Sequence, residues 1–279
     1  EIGVRLVGSE MCIRDSAATA RNLRSTLTEY LRSLNSLPLA DTISKQEGEY
    51  YPERISTVLW LACKATINSI KEKNSTQGQL SIHQIGTLSL LAAPGVPTAW
   101  LEDYNDTENA KKSLSALLNS SVCQISANSK KTLIHQLQGR VFRENHLSTE
   151  TEMNAAVSVA ISVLESISTH TQDSPEKEQQ ETQDLIDQLS TIASQEHSLP
   201  LFTNPTIATI LARTLKKAWR IGMHQVALTL INPLTKASDT LGVDHPDIIT
   251  SRNSLADAYL LEGQTEKAVA LVQKNLKHS

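Results

Sequence analysis

Apolar residues recur at three- and four-residue intervals along most of this chain, the spacing of an amphipathic helix. Residues 17–34 (AATARNLRSTLTEYLRSL) carry leucines and a tyrosine at that period. Residues 37–51 break it and read as a linker, and Pro52 opens the next helix where its missing N–H costs little. The stretch 54–70 (RISTVLWLACKATINSI) is apolar on more than one face, which predicts a buried helix. Further helical stretches are expected over 82–92, 97–104 and 108–119.

The period then changes from helical to two. SVCQIS (121–126) alternates apolar and polar residues, ANSK can turn, and KTLIH (131–135) alternates again, which signals a β-hairpin. QLQGRVFRE leaves the second strand directly as another helix. Three helices followed by a two-stranded wing have the order of a winged-helix domain. Residues 152–168 (EMNAAVSVAISVLESIS) read as an apolar helix, and the polar HTQDSPEKEQQETQ (170–183) reads either as an exposed linker or as a solvated helix end.

The last part of the chain repeats itself. Pro205 and Pro246 lie 41 residues apart, as do Ile207 and Ile248, Gly222 and Gly263, Ala227 and Ala268, and Leu230 and Leu271. Leu215, Ala218 and Trp219 match Leu255, Ala258 and Tyr259 at a spacing of 40, which places a one-residue shift inside the first helix of the unit. Each unit is expected to be a helical hairpin whose first helix ends near Gly222 or Gly263. A small residue, Ala227 or Ala268, then lets the two backbones approach.

Two resemblances follow from these residues. LGVDHPDIITSRNSLADAYLLEGQTEKAVALV (241–272) resembles a tetratricopeptide repeat of the kinesin light chain type, with Leu255, Ala256, Tyr259, Ala268 and Val272 at packing positions. TLTEYLRSLNSLPLADTI, YPERISTVLWLACKATI, LSLLAAPGVPTAWLED, SALLNSSVCQI and TLIHQLQGRVFRE are together similar to the end of an NB-ARC ATPase module and its winged-helix domain, in the order found in bacterial STAND signalling ATPases. The resemblance implies a phosphate-binding loop and a magnesium-binding aspartate before Ala17. No G-x-x-x-x-G-K-[ST] occurs within the chain, so the chain itself is expected to hydrolyse nothing, with ATP or ADP belonging to a longer parent.

Residues 1–15 (EIGVRLVGSEMCIRD) resemble a translated sequencing-library adaptor, whose codons GTG GGC TCG GAG ATG TGT ATA AGA GAC encode residues 7–15. The expected organisation is therefore an adaptor-derived arm over 1–16, the end of the NB-ARC helical subdomain and linker over 17–53, a winged-helix domain over 54–146, a helical linker over 147–203, and two repeats of a truncated α-solenoid over 204–279. The fold class expected is mainly all-α.

Composition narrows the chemistry. Without residues 1–16 the chain has 24 basic and 27 acidic residues, so a nucleic-acid or membrane surface is not expected. Cys63 and Cys123 sit in no C-x-x-C arrangement and fit two buried thiols in a reducing cytoplasm. There is no H-E-x-x-H, no G-x-S-x-G and no metal-spaced cluster.

One residue carries a functional expectation. The NB-ARC resemblance implies a hydrophobic-His-Asp motif whose histidine meets the β-phosphate of ADP; Ile134-His135 matches its first two positions and Gln136 replaces the acid. The alternative is that His135 only caps a strand end. Leu215, Trp219, Gly222, Ala227, Leu255, Tyr259, Gly263 and Ala268 are assigned to repeat packing, with core preferred over a peptide-gripping role for Trp219 and Tyr259. His245 is expected to be a local hydrogen-bonder in the inter-repeat turn. Arg140 and Arg143 are expected to be solvated or salt-bridged rather than DNA contacts. The partner is expected to be a protein or peptide on the repeat surface, within a nucleotide-dependent switch or, alternatively, on a nucleotide-independent scaffold.

Overall fold

In the computed structural model, which describes residues 53–91, 95–103, 106–127 and 130–276, the chain is mainly α-helical with one small antiparallel sheet. The expectations for residues 1–52 lie outside the described residues. The rest falls into two compact units divided between Glu152 and Met153, apart from residues 90–92, which group with the second.

The first unit opens with α1 (Glu53–Lys73) and α2 (Ser75–Leu90), separated only by Asn74. Asn74 ends one helix and starts the next: its N–H donates to the Ile70 carbonyl at 2.9 Å, and its side-chain oxygen accepts from Gln77 N at 3.1 Å. So sharp a junction forces the two backbones together. A Cβ on Gly78 would lie 2.6 Å from Lys71 Cβ and 2.7 Å from Lys71 Cα, so only glycine fits.

Next come β1 (Val96–Pro97), α3 (Thr98–Glu102), α4 (Thr107–Asn119), β2 (Gln124–Ile125), β3 (Lys131–Leu133) and α5 (Gln136–His146). The expected hairpin is present, shorter than its alternation suggested, with Gln124 opposite Leu133 and Ile125 opposite Thr132. The helix expected over 97–104 is present as α3, starting one residue later. Val96 and Pro97 pair with Thr132 and Lys131, giving a three-stranded sheet of order β1-β3-β2. Proline is tolerated because β1 is an edge strand, where a missing N–H breaks no interior ladder. A two-residue strand leaves no periodic trace in sequence.

Buried Gln84 ties the helices of this unit together. Its amide nitrogen donates to the carbonyls of Leu101 (3.1 Å) and Ala110 (2.9 Å), and its oxygen accepts from Ser113 Oγ at 2.9 Å. Both ends of the buried amide are thereby satisfied by groups on α3 and α4. On α4, Asp106 caps the start by accepting from Asn109 N, and Ala110, Ser113, Leu114 and Leu117 form the buried stripe. Helix α5 packs on α1 through Leu59, Leu137 and Val141, with Trp60 against them.

The second unit takes in α6 (Glu150–Thr169) from Met153 on; the helix is opened by a reciprocal cap in which Thr149 Oγ1 accepts from Glu152 N at 3.2 Å and Glu152 accepts from Thr149 N at 3.4 Å. Residues 147–203, expected to be a helical linker, are helical. The polar run after α6 folds into α7 (Pro175–Ile192), capped by Ser174 with Pro175 in its first turn. Its buried face includes Leu185, Ile186, Leu189 and Ile192, and a 3₁₀ stretch (Glu196–Thr203) follows with Leu201 and Phe202 buried. Two of the charges in 170–183, Glu178 and Glu181, are buried in ion pairs, as described below.

Four helical segments complete the unit: α8 (Thr206–Arg220), the composite of α9 (His224–Ala227), a 3₁₀ turn (Leu228–Leu230) and α10 (Ile231–Leu241), then α11 (Pro246–Leu261) and α12 (Thr265–Leu276). The middle segment breaks at Leu228–Leu230 because Pro233 has no N–H and its ring crowds the carbonyl four residues back. Lys274 stands at the same place 41 residues later, and α12 runs unbroken.

The register of the repeat is 41 throughout, which corrects the one-residue shift. Asn204 accepts from Thr206 N at 3.0 Å at the start of α8, as His245 accepts from Asp247 N at 3.3 Å at the start of α11. At the other ends Met223 N donates to Ala218 O at 2.9 Å and Gln264 N to Tyr259 O at 2.8 Å, around Gly222 (φ 78°) and Gly263 (φ 73°). With both ends fixed 41 apart, Thr214 matches Leu255, Leu215 matches Ala256 and Lys217 matches Ala258, all buried. Thr209 Oγ1 reaches Asp247 at 2.5 Å and Gln225 reaches Glu262 at 3.1 Å, so α8 and α11 run side by side in the same direction.

Replacing Gly78 by alanine tests the α1–α2 junction. Helix propensity alone would stabilise by about 1 kcal/mol, but displacing the Lys71 backbone is expected to cost about 1–3 kcal/mol. The expected net result is a lower urea midpoint; a higher one would refute the close approach.

Candidate functional site

The repeat register decides which side of α8 meets solvent. Trp219 corresponds to Leu260, not Tyr259, and both lie on the surface, Trp219 at 41 % and Leu260 at 51 % exposure. The core assignment of Trp219 is therefore corrected: its neighbours Leu215 and Ala218 are buried, while its ring meets the edge of His224 at a centroid distance of 4.6 Å. Tyr259 is half-buried, with Lys267 Nζ 5.6 Å from its ring centre. Of the remaining packing residues, Leu215, Ala227, Leu255 and Ala268 are buried, and Gly222 and Gly263 form the exposed left-handed turns. Val272, expected to pack, is 40 % exposed, because its side of α12 is covered by nothing among the described residues.

Two adjoining cavities flank Trp219. One, of about 500 Å³, is bounded by the end of α6, the turn after it, and Arg213, Lys216, Lys217, Trp219 and Arg220 of α8. The other, of about 350 Å³, lies between α8 and α11, where Arg213, Lys216 and Trp219 face Thr250, Ser254 and Asp257. The two share the row Arg213, Lys216 and Trp219 of α8 as their common wall.

A buried ionic network supports that wall. Lys217 is 6 % exposed and reaches the His170 carbonyl at 2.8 Å, Glu181 at 3.2 Å and Glu178 at 3.6 Å. Glu178 also accepts from Arg220 at 2.6 Å and from Gln172 N at 2.8 Å, while Glu181 meets His170 Nδ1 at 3.2 Å. Each carboxylate thus has several donors, which is what a buried charge requires. The network fastens the turn after α6 to α8. Sequence reasoning missed it; the signal was a lysine where the second repeat has Ala258, together with glutamates in a supposed linker.

His135 lies at a helix start rather than at a strand end. It begins α5, with Nδ1 accepting from Leu137 N at 3.2 Å, and it is exposed. Because Nδ1 accepts, the neutral ring carries its proton on Nε2, leaving one N–H donor toward solvent. Desolvation lowers its pKa below the ordinary value. His245 plays the same capping part at α11.

The arginines after the hairpin are engaged. Arg140 pairs with Glu144 at 2.7 Å, and Arg143 donates to the Ser89 carbonyl at 2.6 Å, burial lowering its pKa to about 10. Cys63 and Cys123 are free and buried. Burial pushes the Cys63 thiol up to about 12 against the pull of a Gln138 hydrogen bond, and raises Cys123 as well. Among the described residues no group of three or more His, Cys, Asp or Glu is placed to hold a metal ion, and no helix is long and apolar enough to cross a membrane. The chain matches no family model, no curated protein and no solved structure.

Two measurements test this geometry. Lys217→Met removes the buried ammonium between Glu178 and Glu181 and is expected to cost about 3–5 kcal/mol in urea unfolding, with part of the loss recovered by adding Glu181→Gln; no recovery would mean the charges are uncoupled. For His135, the folded pKa lies below the unfolded one, so the unfolded chain binds more protons. Its contribution is complete above about pH 6.5 and is lost as pH falls through the folded value. Between pH 7.5 and 5.5 the wild type should therefore lose more stability than His135→Asn, which keeps an uncharged cap; equal losses would exclude the cap's titration.

Proposed function

We propose that this chain is the regulatory and partner-binding part of a nucleotide-dependent signalling switch, combining a winged-helix domain with tetratricopeptide-type repeats. The observation that carries the reading is the 41-residue register, in which parallel first helices bury one stripe against their neighbours and leave the opposite side open. Repeat arrays bind proteins on such surfaces, since each unit buries its apolar face only by stacking. The first unit supports the rest: helices, a β1-β3-β2 sheet and a following helix occur in winged-helix order. Its place in the switch rests on the NB-ARC resemblance.

In this reading the fragment catalyses nothing, ATP or ADP binds an upstream ATPase core of the parent, and the assembly acts in the cytoplasm. His135 contacts the β-phosphate in the closed state. The Nε2–H left by its capping role is a donor suited to a phosphate oxygen, made in one state and lost in the other. The missing acid at Gln136 is then compensated, because the backbone N–H of Leu137 orients the ring instead.

Recovery of the full reading frame tests the switch. The expected product encodes a G-x-x-x-x-G-K-[ST] loop before Ala17, retains ADP through purification, and releases it about tenfold faster or more in His135→Ala, the loss of a hydrogen bond to a charged group. A frame without the loop, or partner capture indifferent to ATP and ADP, would overturn the proposal in favour of a plain scaffold.

A further inference from the structure

Arg143 carries a half-buried charge that no carboxylate neutralises. Among the described residues it forms no ion pair, and Glu144, next in the chain, is bonded to Arg140. Burial is the main cause that lowers its pKa, to about 10, so the guanidinium stays charged at neutral pH. Taking such a charge out of water without a counter-ion is costly.

The position of this cation is defined by a glycine. Arg143 stands eight residues after His135, with Gly139 midway, so the three share one face of α5. Arg143 Nη1 donates to the Ser89 carbonyl at 2.6 Å and lies 3.5 Å from where a Cβ on Gly139 would be, with Ile134 Cγ2 3.6 Å from the same point. Long helical side chains lean toward the N-terminus, and here the guanidinium folds back over the first turn of the helix. His135 begins that turn. Its Nδ1 accepts from Leu137 N, which leaves Nε2–H as a donor toward solvent.

We propose that Arg143 and His135 grip one phosphate group together, the histidine through Nε2–H and the arginine through the guanidinium N–H groups not given to Ser89. The spacing suits it. The four residues from His135 to Gly139 rise about 6 Å, a distance that one phosphate spans when two of its oxygens each accept at about 2.8 Å. A tetrahedral anion can meet donors from two directions, whereas a planar carboxylate is matched by the guanidinium fork alone. The sequence motif points only to the histidine; the fold brings Arg143 to it.

This assignment rests on His135 meeting a phosphate in the switch, and the experiment keeps the two apart. Inorganic pyrophosphate is titrated at low salt into the intact, isotopically labelled chain, and the amide signals of Leu137 and Gly139, bonded to the His135 ring and carbonyl, are followed by NMR. Saturable shifts are expected at both, weakening as salt rises. Arg143→Gln and His135→Ala should each weaken binding about tenfold or more, the loss of a hydrogen bond to a charged group. Arg140→Gln, an equal charge change on the same helix, should not. Thermal melts establish that each variant is folded, and Arg143→Lys, which keeps the charge without the fork, should fall between wild type and Arg143→Gln. Acetate should shift neither amide.

Weakening by His135→Ala but not by Arg143→Gln would overturn the part given to Arg143 and leave that of the histidine. Absence of saturable shifts, or an equal response to acetate, would overturn the pair as a phosphate site, while the recovered reading frame decides the switch on its own. Binding that needs both residues, in a chain whose parent lacks the phosphate-binding loop, would refute the switch and support the pair as a site for another phosphate compound.

Discussion

The second unit depends on a length constraint. The first helix of each repeat is held between a side-chain cap, Asn204 or His245, and a glycine turn, Gly222 or Gly263, 18 residues further on. Fixing both ends fixes the rotation of everything between them, since a helix turns by a set angle per residue. Ile207 and Ile248 face inward for that reason, and Trp219 and Leu260 face outward. A helical hairpin cannot hide its apolar stripe alone, so this rotation decides which stripe its neighbour must cover.

Within that frame Lys217 departs from the repeat rule. Its counterpart Ala258 packs as a small apolar residue, while Lys217 brings an ammonium into the same buried place and needs Glu178, Glu181 and a backbone carbonyl to offset its desolvation. The return is positional. The turn after α6 is held against α8 by charge-assisted bonds, and the wall beside Trp219 is set by them. A hydrophobic residue would take one donor from each glutamate and from the His170 carbonyl.

Much of the first unit could be read from its sequence. Helical spacing located α1, α4 and α5, and the alternation in 121–126 and 131–135 marked the hairpin. Strand β1 escaped because two residues carry no period, and its existence depends on β3 offering an edge. Gln84 escaped for a related reason: a glutamine on a helix looks solvated until Leu101, Ala110 and Ser113 converge on it. Helix α7 stayed open between a linker and a helix end because of its charges, although Ser174-Pro175-Glu176 carried the start signal of a helix. The repeat itself was plain, yet similarity between Trp219 and Tyr259 outweighed the caps and placed a shift where none exists.

Sequence by itself determined the elements whose causes are local: caps at Asn204 and His245, left-handed turns at Gly222 and Gly263, the hairpin, and helices with a regular apolar stripe. These follow from backbone sterics and from hydrogen bonds between near neighbours, which a short window contains. Only tertiary structure decided which polar residues are buried and which aromatic is exposed. Burial is a property of what arrives from elsewhere in the chain, and the partners of Lys217, 36 and 39 residues away at Glu181 and Glu178, are invisible to any local pattern.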